Sequence, residues 1–163
     1  MDLYLVQHGQ ALSAEQDPQR PLSEEGRATA TKVADRLAAS GVRLIDPPLS
    51  EIRHSGKLRA QQTAEVFAQV LCPNVTPKAS SGMNPNDDPR KICAELAARR
   101  DARGALLLVG HLPHLSRLAG LLLTEDAEKE PIRFVNAGIL KISSAKDGWS
   151  VEWYITPACV GYG

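Results

Sequence analysis

Two short apolar runs, each closed by a turn that carries a histidine, constrain this chain most. Leu3-Tyr4-Leu5-Val6 leads into Gln7-His8-Gly9, and Ala105 to Val109 (ALLLV) leads into Gly110-His111-Leu112-Pro113. Unbroken apolar runs this short read as strands covered on both faces, the pattern of a parallel sheet. Helical sequence follows each run, which is the order of a βα unit.

The intervening sequence supplies the helices. Ser23 is a good N-cap, Glu24 and Glu25 suit the positive end of a helix, and Ala30, Val33, Ala34, Leu37 and Ala38 recur at helical spacing. Gly41 is the natural C′ residue. A second helix is predicted from about Lys57 to Leu71, ended by Cys72-Pro73. A third is predicted over Pro89 to Arg100 after a polar loop from Ser80 to Asp88, and a fourth over Pro113 to Leu123. Ile139 to Ile142 and Ser150 to Ile155 flank Lys146-Asp147-Gly148, a strong hairpin signal. The expected fold class is α/β: a three-layer α/β/α sandwich, its central sheet mostly parallel, with a C-terminal edge hairpin. No repeat, low-complexity tract or long linker interrupts it, so residues 1–163 read as a single domain.

Composition narrows the function classes. Lys+Arg and Asp+Glu are 19 each, so no overall basic field exists to hold nucleic acid or an anionic membrane. Any bound anion must be captured by a local site. Cys72, Cys93 and Cys159 share no CxxC spacing, which argues against a disulfide framework and a zinc site and suits a reducing cytoplasm. The N-terminal apolar run is too short for a signal peptide, and no stretch approaches a membrane span. A soluble, cytoplasmic protein is expected.

In open α/β sheets, ligands bind beyond the carboxyl ends of the strands, where His8 and His111 both fall. Glu51-Ile52-Arg53-His54 reads as a short strand whose end delivers Ser55 and Arg59 to the same edge. Ser55-Gly56-Lys57 opens a helix, whose free N–H groups and positive end favour an anion. Arg59, in the first turn, can fork two N–H groups onto a pair of phosphoryl oxygens. Two imidazoles, one guanidinium and a helix start would make a phosphoryl site. Singly, each feature has a plainer reading: a structural histidine, a solvated arginine, an ordinary helix start. His54 reads as a strand end at the sheet edge and His114 as facing out of its helix start. Trp149, Trp153 and Tyr154 read as hairpin packing, and Val160 to Gly163 as a frayed end.

Four segments carry a resemblance. LYLVQHGQA (Leu3 to Ala11) is similar to LxLxRHGxA, and DPQRPLSEEGR (Asp17 to Arg27) to an RPLTxxGR segment. HSGKLRAQQTAE (His54 to Glu65) resembles SxxxRAxQTAE, and VGHLPHLSRLAG (Val109 to Gly120) resembles VGHxPxLSxLAG. In this order they resemble the histidine phosphatase superfamily, and within it the short SixA-type phosphohistidine phosphatases. The resemblance implies a phosphoglycerate mutase-like fold and a hydrolase that needs no cofactor and no metal. It makes His8 the nucleophile that becomes phosphorylated. It gives Arg59 and His111 the phosphoryl oxygens, with Ser55, the N–H of Leu112, Gln7 and Gly9 as lesser substrate contacts. The implied partner is a phosphohistidine-containing protein of the phosphotransfer or histidine-kinase type, or else a small phosphorylated substrate. A neutral imidazole attacking phosphorus splits one hard transfer into two steps, and catalysis is then largely positioning plus positive electrostatics.

Two departures bear on activity. Gln7 stands where the family has Arg, and Gln10 where it often has an acid. Removing one stabilising donor from such a site costs about 2.7–4 kcal/mol. Arg53 or Lys57 is available by sequence to compensate. Asp87 and Asp88 occupy the interval where ester-cleaving relatives place a general acid, but as helix N-caps they have a structural reading too. Weak acid machinery favours a P–N bond, whose nitrogen can be protonated before departure. The interval between Arg59 and His111 holds a helix and loops but no helical lid, so an open cleft is expected. Two alternatives stay in view: a small-molecule phosphate ester phosphatase, and a feebly active phosphate-binding module that Gln7 would explain.

Overall fold

The structure, a computed structural model, describes residues 1–40, 47–99, 104–146 and 148–161. Both apolar runs become neighbouring parallel strands at the middle of one sheet: β1 (Asp2–Gln7) and β4 (Ala105–Gly110), paired from Asp2–Ala105 to Gln7–Gly110. Leu3 to Val6 are fully buried and every residue of β4 is buried, as strands sandwiched between two helical layers must be. The remaining elements are α1 (Glu24–Ala39), β2 (Leu49–His54), α2 (Leu58–Leu71), β3 (Lys78–Ala79), α3 (Arg90–Ala98), α4 (His114–Thr124), β5 (Ile139–Ala145) and β6 (Gly148–Ile155). The strand order is β3-β2-β4-β1-β5-β6, parallel from β3 through β1, with β5 and β6 added as an antiparallel hairpin. This is the expected mixed α/β architecture.

Two apolar clusters show the layers. Tyr4, Val6, Leu107 and Val109 face Val33, Leu37, Ala64 and Phe67 of α1 and α2. Leu3, Leu5, Leu106 and Leu108 face Ile92, Leu96, Leu115 and Leu118 of α3 and α4. Alternate residues of the same strands therefore feed opposite cores, which is why neither run could alternate with polar residues. No helix among the described residues is long and apolar enough to cross a membrane.

The differences from expectation are local. β3 was not anticipated: its two residues are exposed and carry no apolar signal, and pairing with Arg53 and His54 alone defines it. It takes the sheet edge, so His54 ends an inner strand and is buried. The third helix is shorter than expected and Arg99 is its C-cap; Arg100 lies outside the described residues. Gly41, the expected C′ residue of α1, lies outside them as well, and Ser40 is the C-cap. The second hairpin strand begins at Gly148, earlier than Ser150; Asp147 of its turn is outside the description. Of the end expected to fray from Val160, Val160 closes a short 3-10 turn over Pro157–Val160 and Gly161 caps it, while Tyr162 and Gly163 lie outside the described residues. The Trp153 ring lies tilted against Tyr4 with centroids 5.8 Å apart, and the Tyr154 ring lies 6.1 Å from Phe134, so these aromatics pack as expected.

Candidate active site

The sheet's carboxyl edge gathers His8, Ser55, Arg59 and His111, residues far apart in the chain. His8 continues β1 by one further bond, its N–H donating to Gly110 O at 3.1 Å. That bond sets it beside His111, and the two rings lie 4.8 Å apart between centroids. The His8 ring is oriented from both ends. Nδ1 sits 2.7 Å from Gly9 O, a carbonyl that can only accept, so Nδ1 carries the proton. Nε2 then holds the lone pair, and Arg59 Nε–H donates to it at 3.2 Å. His111 is 2% exposed, and its Nε2 shares a 2.5 Å hydrogen bond with Ser55 Oγ, itself buried. The His111 Nδ1 is buried with no partner among the described residues.

Burial is the main force on both imidazoles. It pushes His8 down to about 4; the Gly9 carbonyl opposes this, and the charges of Arg59 and then Arg20 add to it. It pushes His111 down to about 3, reinforced by His8, Arg59 and Lys57. Both rings are therefore neutral at neutral pH. Burial and the charge of Arg20 also pull Arg59 below the usual guanidinium range. Cations are crowded around two uncharged rings, and among the described residues no carboxylate is paired with Arg59 or Arg20. Bringing an anion into such a place relieves the repulsion and raises the affinity of the imidazoles for protons.

Two contributors escaped the sequence reading. Arg20, inside the quoted RPL segment, interacts with both His8 and Arg59. It adopts φ 49 and donates from Nε to Leu12 O at 3.2 Å. A left-handed backbone costs a non-glycine residue on the order of 1–2 kcal/mol. Thr63, fully buried one turn after Arg59, accepts from Gly9 N at 3.0 Å and donates to Arg59 O at 2.7 Å. It ties the His8–Gly9 turn to α2. Its place four residues after Arg59 was the available signal.

Other expectations shift. The N–H of Gly9 is taken by Thr63, so that group is not free for a phosphoryl oxygen. Gly9 is required instead by close packing: a Cβ there would lie 2.9 Å from Gly26 O. Gln7 Nε2 donates to Asn136 Oδ1 at 2.6 Å, while its Oε1 is buried without a partner among the described residues. Leu112, 39% exposed, follows His111 and joins Pro113 through a cis peptide. Arg53 does not compensate for Gln7, because its guanidinium is held by Glu51 at 2.5 Å and Glu95 at 2.9 Å. Lys57 is near enough to act on His111. Asp87 accepts from the N–H and side-chain amide of Asn84, and Asp88 from Arg90 N, so both serve the turn before α3. His114 does not face out: it is fully buried, with the Gly82 backbone and Asp87 as polar neighbours. Among the described residues no three His, Cys, Asp or Glu side chains gather as a metal-holding group.

A strand-end site with a histidine pair and a guanidinium, on a sheet of this order, has the chemistry to hold a phosphoryl group. Residues 3–80 match the family model described as Histidine phosphatase superfamily (branch 1). No curated protein matches it in sequence. Among solved structures it is similar to the protein histidine phosphatase SixA complexed with tungstate, at TM-score 0.82 and 24% identity over 97% of this chain and 98% of that one. It is also similar to the alpha-ribazole phosphatase from Shigella flexneri, at TM-score 0.76 and 15% identity over 100% of both chains. A phosphoserine phosphatase mutant from Entamoeba histolytica in complex with phosphoserine gives TM-score 0.68 and 14% identity over 98% of both. At such identities the likeness concerns the fold.

Proposed function

We propose that the protein is a phosphohistidine phosphatase that dephosphorylates a protein substrate through a phosphoenzyme on His8. The observation that carries this reading is the His8 ring itself. Its proton is committed to Gly9 O, which leaves the Nε2 lone pair at the guanidinium that would hold the phosphoryl group. In the first step Nε2 forms a bond to phosphorus while the substrate's P–N bond breaks; the electron pair of that bond returns to the departing ring nitrogen, and the ring leaves neutral because its other nitrogen carries the proton. Water then attacks the phosphorus, the His8–phosphorus bond breaks, and inorganic phosphate leaves with His8 neutral again. Arg59 neutralises equatorial oxygens in both steps; His111, rising toward protonation beside the dianion, donates to another. Ser55, Leu112 N–H and Lys57 complete the cradle. Asp87 and Asp88 are occupied locally, and this lack of an evident acid supports a P–N bond, whose leaving group asks least for one.

The similar structures include phosphatases named for small phosphate esters, so ester hydrolysis is the second reading. A panel of phosphorylated metabolites set against a phosphohistidine protein separates the two. The phosphoenzyme is tested by quenching turnover into alkali, in which phosphohistidine survives, and mapping the label by mass. The label is expected on His8, and His8→Ala is expected to lose at least about 10⁴-fold in rate. Hydrolysis retained in that variant, or turnover without a labelled His8, would reject the covalent route. Phosphate binding with neither turnover nor label would instead indicate a binding module.

A further inference from the structure

Between Gln10 and Asn136, toward the β5–β6 edge, lies a cleft of about 460 Å³ whose lining includes none of His8, Ser55, Arg59 or His111. Its volume is in the range of small-molecule sites. Gln10, Glu25, Thr29, Asn136 and Thr156 give it its polar lining. Two of these are coupled to the site: Gln10 stands two residues after His8, and Asn136 accepts the hydrogen bond of Gln7. Both walls are stiff. Gln10 O accepts from Ser23 N at 2.9 Å and from Ser23 Oγ at 3.2 Å, and a Cβ on Gly26 would lie 2.0 Å from that oxygen. Opposite, the Tyr154 hydroxyl accepts from Val135 N at 3.0 Å and donates to Arg133 O at 3.2 Å, pinning the loop that carries Asn136.

The charge balance of this cleft is opposite to that of the cradle. Glu25 is the one ionisable side chain among its described lining residues; no Lys or Arg lines it. We infer that this cleft receives the leaving-group side of the substrate and selects for an uncharged or cationic group over one bearing an acid. With the phosphoryl group on Arg59, the rest of the substrate must extend into adjoining space. The amides of Gln10 and Asn136 and the hydroxyls of Thr29 and Thr156 offer donors and acceptors to a polar ring or amine. A carboxylate entering there would find no cation and would meet Glu25. An imidazole flanked by polypeptide fits these terms, whereas a phosphorylated hydroxy acid does not. The inference rests on the cradle reading for the position of the phosphoryl group, but not on the phosphoenzyme.

The test uses two non-hydrolysable phosphonates, 4-(aminomethyl)benzylphosphonate and 4-carboxybenzylphosphonate, with affinities measured by calorimetry on the full chain. The ammonium compound is expected to bind about fivefold tighter, the scale of one exposed charge acting once attractively and once repulsively. Glu25→Lys should invert that order, and Arg59→Ala should weaken both compounds alike. Thr29→Lys, one helical turn on, gives a second reversal should Glu25→Lys disturb the start of α1. Equal affinities, an order unmoved by both lysines, or no binding of either compound would overturn the inference. Failures remain distinguishable: charge preference without a labelled His8 leaves the cleft assigned and removes the phosphoenzyme. A labelled His8 without charge preference does the reverse.

Discussion

Two clusters of arginine lie on either side of Ser55, and they are put to opposite uses. Arg53 and Arg99 share Glu51, and Arg53 also reaches Glu95, so every cation there has a carboxylate within 2.9 Å. Burial alone would raise the Glu51 carboxyl, but hydrogen bonds from Arg53 and Arg99 outweigh it and hold the group below its ordinary range. Arg59 and Arg20, by contrast, act on neutral imidazoles and on each other. The first cluster is complete in the free protein. In the second, no carboxylate is paired with Arg59 or Arg20 among the described residues. Uncompensated positive charge beside rings held neutral marks a site, whereas the number of arginines marks nothing.

The sharpest way to break this contrast is to truncate one arginine from each cluster. Arg59→Ala should lower kcat/KM by about 10²–10³-fold, the usual cost of one preorganised charge donor. It should leave the thermal midpoint nearly unmoved, since its removal relieves repulsion. Arg53→Ala should do the converse: rate within about twofold, stability reduced by about 1 kcal/mol. For a chain of this length that is a midpoint shift of roughly 2–4 °C. Steady-state kinetics and a thermal melt on both variants decide it. If Arg53→Ala slows turnover as much as Arg59→Ala, the separation of the two clusters is wrong.

A smaller change sharpens the comparison from the other side. Gln7 is paired with Asn136 and supplies no charge, so the site holds fewer cations than the RHG pattern it resembles would offer. Gln7→Arg should raise kcat about tenfold, less than the full worth of a donor because the Asn136 bond is broken. Kinetics on Gln7→Arg and on Gln7→Arg with Asn136→Ala measure that coupling. An unchanged or lower rate in both would show that the site is tuned to the amide.

What the sequence disclosed and what it withheld have the same physical root. β1, β4, His8 and His111 were legible because an unbroken apolar run followed by a glycine-histidine turn is a purely local signal. Arg59 was legible because a helix start behind a strand end is local too. The partners were not. Gln7 meets Asn136 across 129 residues and Arg53 meets Glu95 across 42, distances over which no pattern in the chain specifies pairing. β3 exists only through its neighbour. His114 was misplaced because a polar residue at a helix start normally faces water, and its neighbours Gly82 and Asp87 come from a loop some thirty residues earlier.

That burial extends the contrast to the histidines, and gives the gentlest of the tests. All four histidines, His8, His54, His111 and His114, are held below their ordinary range, chiefly by burial. A folded-state imidazole with a depressed affinity for protons is matched by an unfolded one that takes them up near 6.5. Stability is then fully present above about pH 6.5 and is lost as the pH falls toward 4, where His8 itself titrates. The Glu51 carboxyl, also depressed, adds its loss only below its ordinary range, at still lower pH. Urea unfolding at pH 7.5, 6.0 and 5.0 should therefore show a progressive fall before any carboxylate contributes. Inorganic phosphate should recover part of it, because a bound anion restores the proton affinity of His8 and His111. It should recover nothing in Arg59→Ala, which cannot hold the anion. A flat profile from pH 7.5 to 5.0 would mean that the imidazoles protonate without cost. The neutral-ring chemistry assigned to His8 would then have lost its physical basis.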